Sequence, residues 1–208
     1  MQRSGKGWGA WALLLGLALA SQQVAAGPLL ERLKARQADQ LIQEDEDDAP
    51  AGDFLPEGAR VLKDQAYGPD RRQRYDVYLP AQAQAAPIIL MVHGGAWRFG
   101  SKSRGGVVEH KVARWVAQGF ILVSTDYRLL PEAAPAEQAR DVARALATVR
   151  ARAAGWGGDP DRVVLMGHSA GAHLVALLAA SPRTSPGVVG TVLLDSAALD
   201  GVVSENGK

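Results

Sequence analysis

The stretch VVLMGHSAGAHLVALL, residues 163–178, decides how this chain folds. A short apolar run precedes Gly167-His168-Ser169-Ala170-Gly171, and an apolar segment of helical length follows. A Gly-x-Ser-x-Gly pattern between a buried strand and a helix predicts a sharp turn that lifts the serine hydroxyl above a sheet. The five residues alone are weak evidence, so the interpretation depends on the elements around them.

The surrounding segments predict an alternation of strands and helices. Residues 61–67 and 74–79 flank Gly68-Pro69-Asp70 and predict a hairpin, and Pro80 and Pro87 bracket a predicted loop. Buried strands are expected at 88–92, 120–123, 162–166 and 188–194. Helices are expected around 108–116, with Gly119 as the stop, from Pro135 to a stop at Gly155, and over 170–180. This order predicts an α/β fold with a mostly parallel sheet and helices on both faces.

A second loop with unusual composition follows the first buried strand. It reads His93-Gly94-Gly95-Ala96-Trp97. Adjacent glycines allow backbone N–H groups to turn toward one point, where they would stabilise a developing oxyanion. A plain tight turn explains the two glycines equally well. The N–H of Ala170, at the start of the following helix, is a further candidate donor.

With these motifs in this order, the sequence resembles the α/β-hydrolase superfamily, in particular the His-Gly-Gly-x-Trp carboxylesterase and formamidase-like branch. The resemblance covers roughly residues 61–199, and its motifs are at 93–97, 126–129, 157–160 and 167–171. It implies the α/β-hydrolase fold, Ser169 as the nucleophile, and an oxyanion hole formed by the N–H groups of Gly94, Gly95 and Ala170. Trp97 would either line the mouth of an acyl pocket or simply pack.

A serine nucleophile needs a general base, and the family order places an acid and then a histidine after it. The only histidine after Ser169 is His173, which is expected one turn down the same helix. We expect His168 to pack beside the turn, His93 to brace its loop, and His110 to lie elsewhere. Two candidate acids, Asp195 and Asp200, follow the last predicted strand.

We therefore expect the general base, and with it the acid, to be missing from this chain. The fold would then be an α/β-hydrolase that lacks its last strands, the first two thirds of such an enzyme. An exposed apolar strand edge would make the isolated chain poorly soluble, and the missing base would leave it nearly inactive.

The N-terminal residues predict export. Arg3 and Lys6 precede an apolar run at 8–20, and small residues follow at 24–26, as in a signal peptide over 1–26. Residues 18–20 are a second possible cleavage site, and an uncleaved membrane tether is the alternative. Residues 27–56 predict an amphipathic helix and an acidic linker, 57–200 the hydrolase domain, and 201–208 a disordered tail. We expect a periplasmic or secreted protein with no membrane association after cleavage.

Composition excludes several kinds of site. The chain of 208 residues has no cysteine, which excludes disulfides, thiolate metal sites and a cysteine nucleophile. Removal of Arg3 and Lys6 changes the formal charge from 23 − 22 = +1 to 21 − 22 = −1, which argues against nucleic acid as a partner. The five acids at 44–48 lack the spacing of a calcium loop, so we expect no metal there. Ester cleavage with an oxyanion hole needs neither a metal nor an organic cofactor, and we expect none.

These observations predict a serine hydrolase that cleaves small-molecule carboxylic esters through an acyl-enzyme on Ser169. Because one fold supports many leaving groups, an amidase, a formamidase or a peptidase is the alternative among enzymes. A catalytically inactive fragment or a binding pseudoenzyme is the alternative outside them.

Overall fold

The computed structural model describes residues 54–180 and 187–195. The predicted signal peptide, nearly all of the predicted helix and linker at 27–56, the candidate acid Asp200 and the predicted tail lie outside these residues. Within them, no helix combines the length and apolar character that crossing a bilayer requires.

The described residues form strands and helices in the predicted order. The strands are β1 (Arg60–Ala66), β2 (Arg74–Leu79), β3 (Ala86–Val92), β4 (Ile121–Thr125), β5 (Gly158–His168) and β6 (Val188–Leu194). The helices are α1 (Gly105–Trp115), α2 (Pro135–Arg152) and α3 (Ala170–Ala179). Short 3₁₀ turns, Val116–Gln118 and Ala153–Trp156, prolong α1 and α2.

The strands form one sheet in the order β1-β2-β4-β3-β5-β6. The predicted hairpin is confirmed, since β1 and β2 are antiparallel, and β2 also pairs antiparallel with β4. From β4 to β6 the strands are parallel. The sheet is therefore mostly parallel, as the alternation of elements predicts, and the predicted α/β class is confirmed.

The sheet is buried on both faces because its central strands are apolar at successive positions. In β3, Ile88, Leu90 and Val92 face a core that α2 and α3 cover. Ile89 and Met91 face the opposite core, which α1 covers. Continuous apolar runs of this kind are typical of parallel strands between two helical layers.

The four parallel strands end side by side, and their carboxyl ends form the edge of the sheet at which the candidate site lies. Val92 in β3 pairs with Thr125 in β4 and with Gly167 in β5, and His168 pairs with Leu194 in β6. The residues that follow these strands therefore meet at one edge of the sheet. Functional groups of open α/β sheets collect at this edge.

Two local predictions from the sequence were wrong. Pro87 does not end the loop but lies within β3, between Ala86 and Ile88, where the register with β5 shifts. A proline without an N–H is tolerated in a strand at such an irregularity. Gly155 does not end the second helix, because the 3₁₀ turn runs to Trp156 and Gly157 ends it with a φ of 78°.

The last strand in the sheet order, β6, pairs only with β5 among the described residues and exposes large apolar side chains. Val189 is 65% exposed and Leu193 is 38% exposed. An exposed apolar edge favours aggregation, and the poor solubility of the isolated chain stays a prediction.

The two glycines near the end of α2 permit a matched test. An alanine at position 157 would have both a left-handed φ and a clash of its Cβ with the Ala83 carbonyl, whereas a Cβ at Gly155 meets nothing within 4 Å. We expect Gly157→Ala to lower the free energy of unfolding by about 2 kcal/mol, and Gly155→Ala to leave it unchanged or raise it by about 0.5 kcal/mol. Urea unfolding of both variants measures the difference. Equal stabilities would contradict the assigned helix end.

Candidate active site

Ser169 lies in a strained turn between β5 and α3. Its backbone has φ 49° and ψ −115°, a combination that costs a residue with a side chain of the order of 1–3 kcal/mol. The N–H of Ser169 donates to the Leu194 carbonyl at 2.8 Å, and its carbonyl accepts the N–H of His173 at 3.2 Å. The strain is therefore held from both sides, by β6 and by the first hydrogen bond of α3. The Ser169 side chain is half-buried.

The glycines of the motif allow main chains to come into close contact. A Cβ at Gly167 would collide with the Gly171 carbonyl, and one at Gly171 would collide with the carbonyls of Val92 and His93. The first turn of α3 therefore packs directly on the end of β3. These close contacts explain why both glycines that flank the turn at Ser169, here called the serine turn, cannot be replaced by residues with a Cβ.

The loop after β3 lies against the serine turn. A Cβ at Gly94 would be 3.2 Å from the Cβ of Ser169 and 2.9 Å from Nδ1 of His168. The Gly95 carbonyl accepts the N–H groups of Arg98 and Phe99, both at 2.9 Å, so the loop turns back immediately after the two glycines. The structure thus brings Gly94 directly beside Ser169.

The three N–H groups predicted to form an oxyanion hole make no hydrogen bond among the described residues. Among the described residues, the N–H groups of Gly94, Gly95 and Ala170 donate to no turn, loop, cap or side-chain acceptor. Buried backbone N–H groups are almost always paired, so unpaired donors next to a serine hydroxyl are suited to an anionic oxygen.

His93 is a buried side chain that stabilises the loop, as the sequence predicted. Its ring is 1% exposed and stacks on the ring of Tyr127, with centroids 4.5 Å apart. Nδ1 of His93 lies 2.7 Å from the Gly94 carbonyl, and Nε2 lies 3.5 Å from Oδ1 of Asp126. The imidazole therefore faces its own loop and the end of β4.

The far end of the loop is fastened by Lys102. Its N–H donates to Oδ1 of Asp126 at 2.7 Å, and its carbonyl accepts the Ser124 hydroxyl at 2.8 Å. Its ammonium group lies 2.9 Å from Oδ1 of both Asp64 and Asp76. Burial lowers the pKa of Lys102, but the hydrogen bonds to Asp64 and Asp76 raise it more, so the pKa lies above its ordinary value. These contacts join the loop to β2 and β4.

None of the four histidines is placed as the base for Ser169. His110 is exposed on α1, which packs on the opposite face of the sheet from α3, and His93 is held as described. The ring of His173 packs edge-on against Trp97, with centroids 5.6 Å apart, and burial lowers its pKa. Among the described residues, no hydrogen bond joins a histidine to the Ser169 hydroxyl.

His168 and Asp195 are the remaining polar groups at this edge. Nε2 of His168 lies 3.9 Å from Oδ2 of Asp195, whose side chain is 90% exposed. This distance is too long for a hydrogen bond. Asp195 follows β6, as the sequence indicates for a candidate acid, but it contacts the intervening residue of the motif rather than a base.

Trp97 is held by its backbone as well as its ring. Its carbonyl accepts the Leu130 N–H at 2.8 Å and the amide of buried Gln138 at 3.0 Å. The side chain is half-buried and packs against the core that α2 and α3 cover. A packing role is thus directly visible for Trp97, and a role at the mouth of an acyl pocket stays a prediction.

Three residues around the site were not singled out from the sequence: Lys102, Tyr127 and Gln138. Tyr127 belongs to the motif at 126–129, but the motif suggested no task for it. Tyr127 follows β4, the strand next to β3, and this position could have indicated contact with the loop at 93–97, here called the glycine loop. Nothing in the spacing of Lys102 or Gln138 indicates their partners.

Comparison with known proteins finds a matching family and related esterases. The BD-FAE family model matches residues 75–201, more than half of the chain. Esterase LipQ of Mycobacterium tuberculosis is 38% identical over 136 residues, which cover 62% of this chain and 32% of that protein. The isoprenylcysteine alpha-carbonyl methylesterase of Arabidopsis thaliana is 34% identical over 118 residues, which cover 56% of this chain and 27% of that protein.

A solved structure extends the comparison to the fold. Esterase B from Lactobacillus rhamnosis is 25% identical with a TM-score of 0.65, over 82% of this chain and 57% of that one. The chain thus spans about a third or less of the length of the two curated esterases and somewhat more than half of the solved one.

The strain at Ser169 predicts an unusual stability order. Glycine adopts a positive φ without steric cost, whereas alanine has the same Cβ as serine. We expect the free energy of unfolding of Ser169→Gly to be about 1 kcal/mol higher than that of Ser169→Ala. Urea unfolding of the two variants measures this difference. A less stable glycine variant would argue that the backbone at 169 is relaxed.

The Lys102 contacts predict a large loss when the ammonium is removed. Asp76 has a side chain that is 2% exposed, so Lys102→Met would leave a buried carboxylate without its counter-charge. We expect a loss of about 3 kcal/mol in the free energy of unfolding. Asp64→Asn is the control, because Asp64 is 71% exposed and asparagine tolerates its φ of 54°. We expect the control to lose less than about 1 kcal/mol, and equal losses would contradict the central role of Asp76.

Proposed function

Because the chain belongs to the BD-FAE family and its matched relatives are esterases, we propose that it hydrolyses small-molecule carboxylic esters through an acyl-enzyme on Ser169. One observation supports this proposal above the others. Ser169 is held in a strained turn with Gly94 beside it, and the N–H groups of Gly94, Gly95 and Ala170 have no hydrogen-bond partner among the described residues.

The proposed reaction uses these groups in order. The Ser169 hydroxyl oxygen attacks the ester carbonyl carbon while a general base takes the hydroxyl proton. The carbonyl oxygen becomes an oxyanion, which accepts hydrogen bonds from the N–H groups of Gly94, Gly95 and Ala170. Each such donor is worth about 3 to 4 kcal/mol of the barrier. Collapse of this intermediate breaks the ester C–O bond, and the alcohol leaves with the proton that the base held.

A second half reaction frees the enzyme. Water, with its proton taken by the same base, attacks the acyl carbon, and the acid leaves as Ser169 regains its proton. The chemistry needs no electron transfer, since bonds to carbon and oxygen are exchanged without oxidation. Every step depends on the base, which must lie within hydrogen-bond reach of the serine hydroxyl.

We place this base outside the 208 residues. This proposal rests on the contacts of the four histidines, none of which directs an imidazole nitrogen to the Ser169 hydroxyl. His93 faces the Gly94 carbonyl and Tyr127, His173 faces Trp97, and His110 lies on the other face of the sheet. His168 is half exposed, 3.9 Å from Asp195, and makes no hydrogen bond with the Ser169 hydroxyl among the described residues.

The missing base permits a direct test of Ser169. Free imidazole added to the chain should replace the base in part, so wild type should hydrolyse p-nitrophenyl acetate faster with imidazole than without. We expect the imidazole-dependent rate to exceed that of Ser169→Ala by about tenfold, a fraction of the 100-fold or more that a positioned base contributes. The variant also measures the hydrolysis that imidazole performs by itself in solution.

Two further results would decide between the alternatives. A fluorophosphonate probe should label wild type at Ser169 and leave Ser169→Ala unlabelled. Equal rates and equal labelling of the two proteins would overturn the proposal and favour a binding protein. A matched p-nitroanilide cleaved as fast as the ester would move the assignment to the amidase alternative.

A further inference from the structure

Two peptide units of the loop after β3 contain N–H groups proposed to bind the oxyanion. The unit between His93 and Gly94 contains the His93 carbonyl and the Gly94 N–H, and the next contains the Gly94 carbonyl and the Gly95 N–H. A trans peptide is planar, and its C=O and N–H point in opposite directions. A contact that fixes either carbonyl therefore also fixes the direction of the N–H in the same unit.

Tyr127 fixes the first of these carbonyls. Its hydroxyl donates to the His93 carbonyl at 3.0 Å, and the residue is fully buried. Burial raises the pKa of Tyr127, so the hydroxyl keeps the proton that it donates. The backbone before it is fixed as well, since the Asp126 carbonyl accepts the hydroxyls of Tyr67 at 2.7 Å and Thr125 at 2.8 Å. The donor is thus attached to the rigid end of β4.

The ring of Tyr127 acts on the second carbonyl through His93. The two rings are stacked at 4.5 Å with an interplanar angle of 15°, which sets the orientation of the imidazole. Nδ1 of that imidazole lies 2.7 Å from the Gly94 carbonyl. A carbonyl oxygen only accepts hydrogen bonds, so Nδ1 bears the proton and donates it. The Gly94 carbonyl is held by this bond.

We propose that Tyr127 is the positioning residue of the oxyanion hole. Its hydroxyl directs the Gly94 N–H through the His93 carbonyl, and its ring directs the Gly95 N–H through the His93 imidazole. Tyr127 touches neither nucleophile nor ester and acts only through the loop. The catalytic consequence rests on the proposed function, but the orientation of the two N–H groups does not.

Tyr127→Phe tests the hydroxyl while keeping the stacked ring. Tyr75→Phe is the matched control, because it removes the hydroxyl of an equally buried tyrosine, in β2, that makes no hydrogen bond with the loop after β3 among the described residues. With imidazole present, we expect Tyr127→Phe to lower kcat on p-nitrophenyl acetate about tenfold at unchanged KM. Complete removal of an oxyanion donor costs about 100-fold or more, and a loosened donor should lose part of that. We expect the control to stay within about twofold of wild type.

The orientation of the amides has a readout that does not require turnover. In protein labelled with ¹⁵N-glycine, Tyr127→Phe should shift the amide resonance of Gly94 most, and Tyr75→Phe should leave it in place. An unmoved Gly94 resonance would overturn the proposal. If wild type is active, equal kcat values for the two variants would also overturn it. If wild type shows no Ser169-dependent turnover, the proposed function fails, and the resonance shift alone decides the role of Tyr127.

Discussion

The close contact between the first turn of α3 and the end of β3 is the constraint on which the site depends. Gly171 lies so near the carbonyls of Val92 and His93 that no other residue fits. This contact fixes the serine turn against the glycine loop, and the strain at Ser169 is possible only because both neighbours hold it. Packing of main chain on main chain therefore determines where the hydroxyl and the unpaired N–H groups meet.

The loop with these N–H groups is positioned by side chains from other elements. Tyr127 and Asp126 follow β4, Gln138 lies on α2, and Asp76 lies in β2. Each holds a carbonyl, an N–H or a charge of the loop and leaves the N–H groups of Gly94 and Gly95 free. These two N–H groups are thus preorganised by hydrogen bonds made at a distance from the serine, which is what the proposed oxyanion hole needs.

The sequence alone was sufficient for the order of elements and the position of Ser169, because apolar runs and glycine motifs reflect local geometry. It was insufficient for Gly157, because the choice between two neighbouring glycines depends on where α2 stops against the Ala83 carbonyl. Pro87 was misread for a similar reason, since only the pairing with β5 reveals the register shift that accommodates it. The roles of Tyr127 and Lys102 arise from contacts between residues distant in the chain, which no local pattern encodes.

The ion pair between Lys102 and Asp76 has a consequence for chimeric proteins. The lysine belongs to the loop of the active-site edge, whereas the aspartate belongs to the antiparallel hairpin, so two segments that are separate in sequence form one electrostatic unit. A recombination junction between residues 76 and 102 takes Asp76 and Lys102 from different parents. If the second parent has neither residue at these positions, the chimera contains one buried charge without its partner. A junction before β1 or within α1 keeps both residues from one parent and therefore preserves this ion pair.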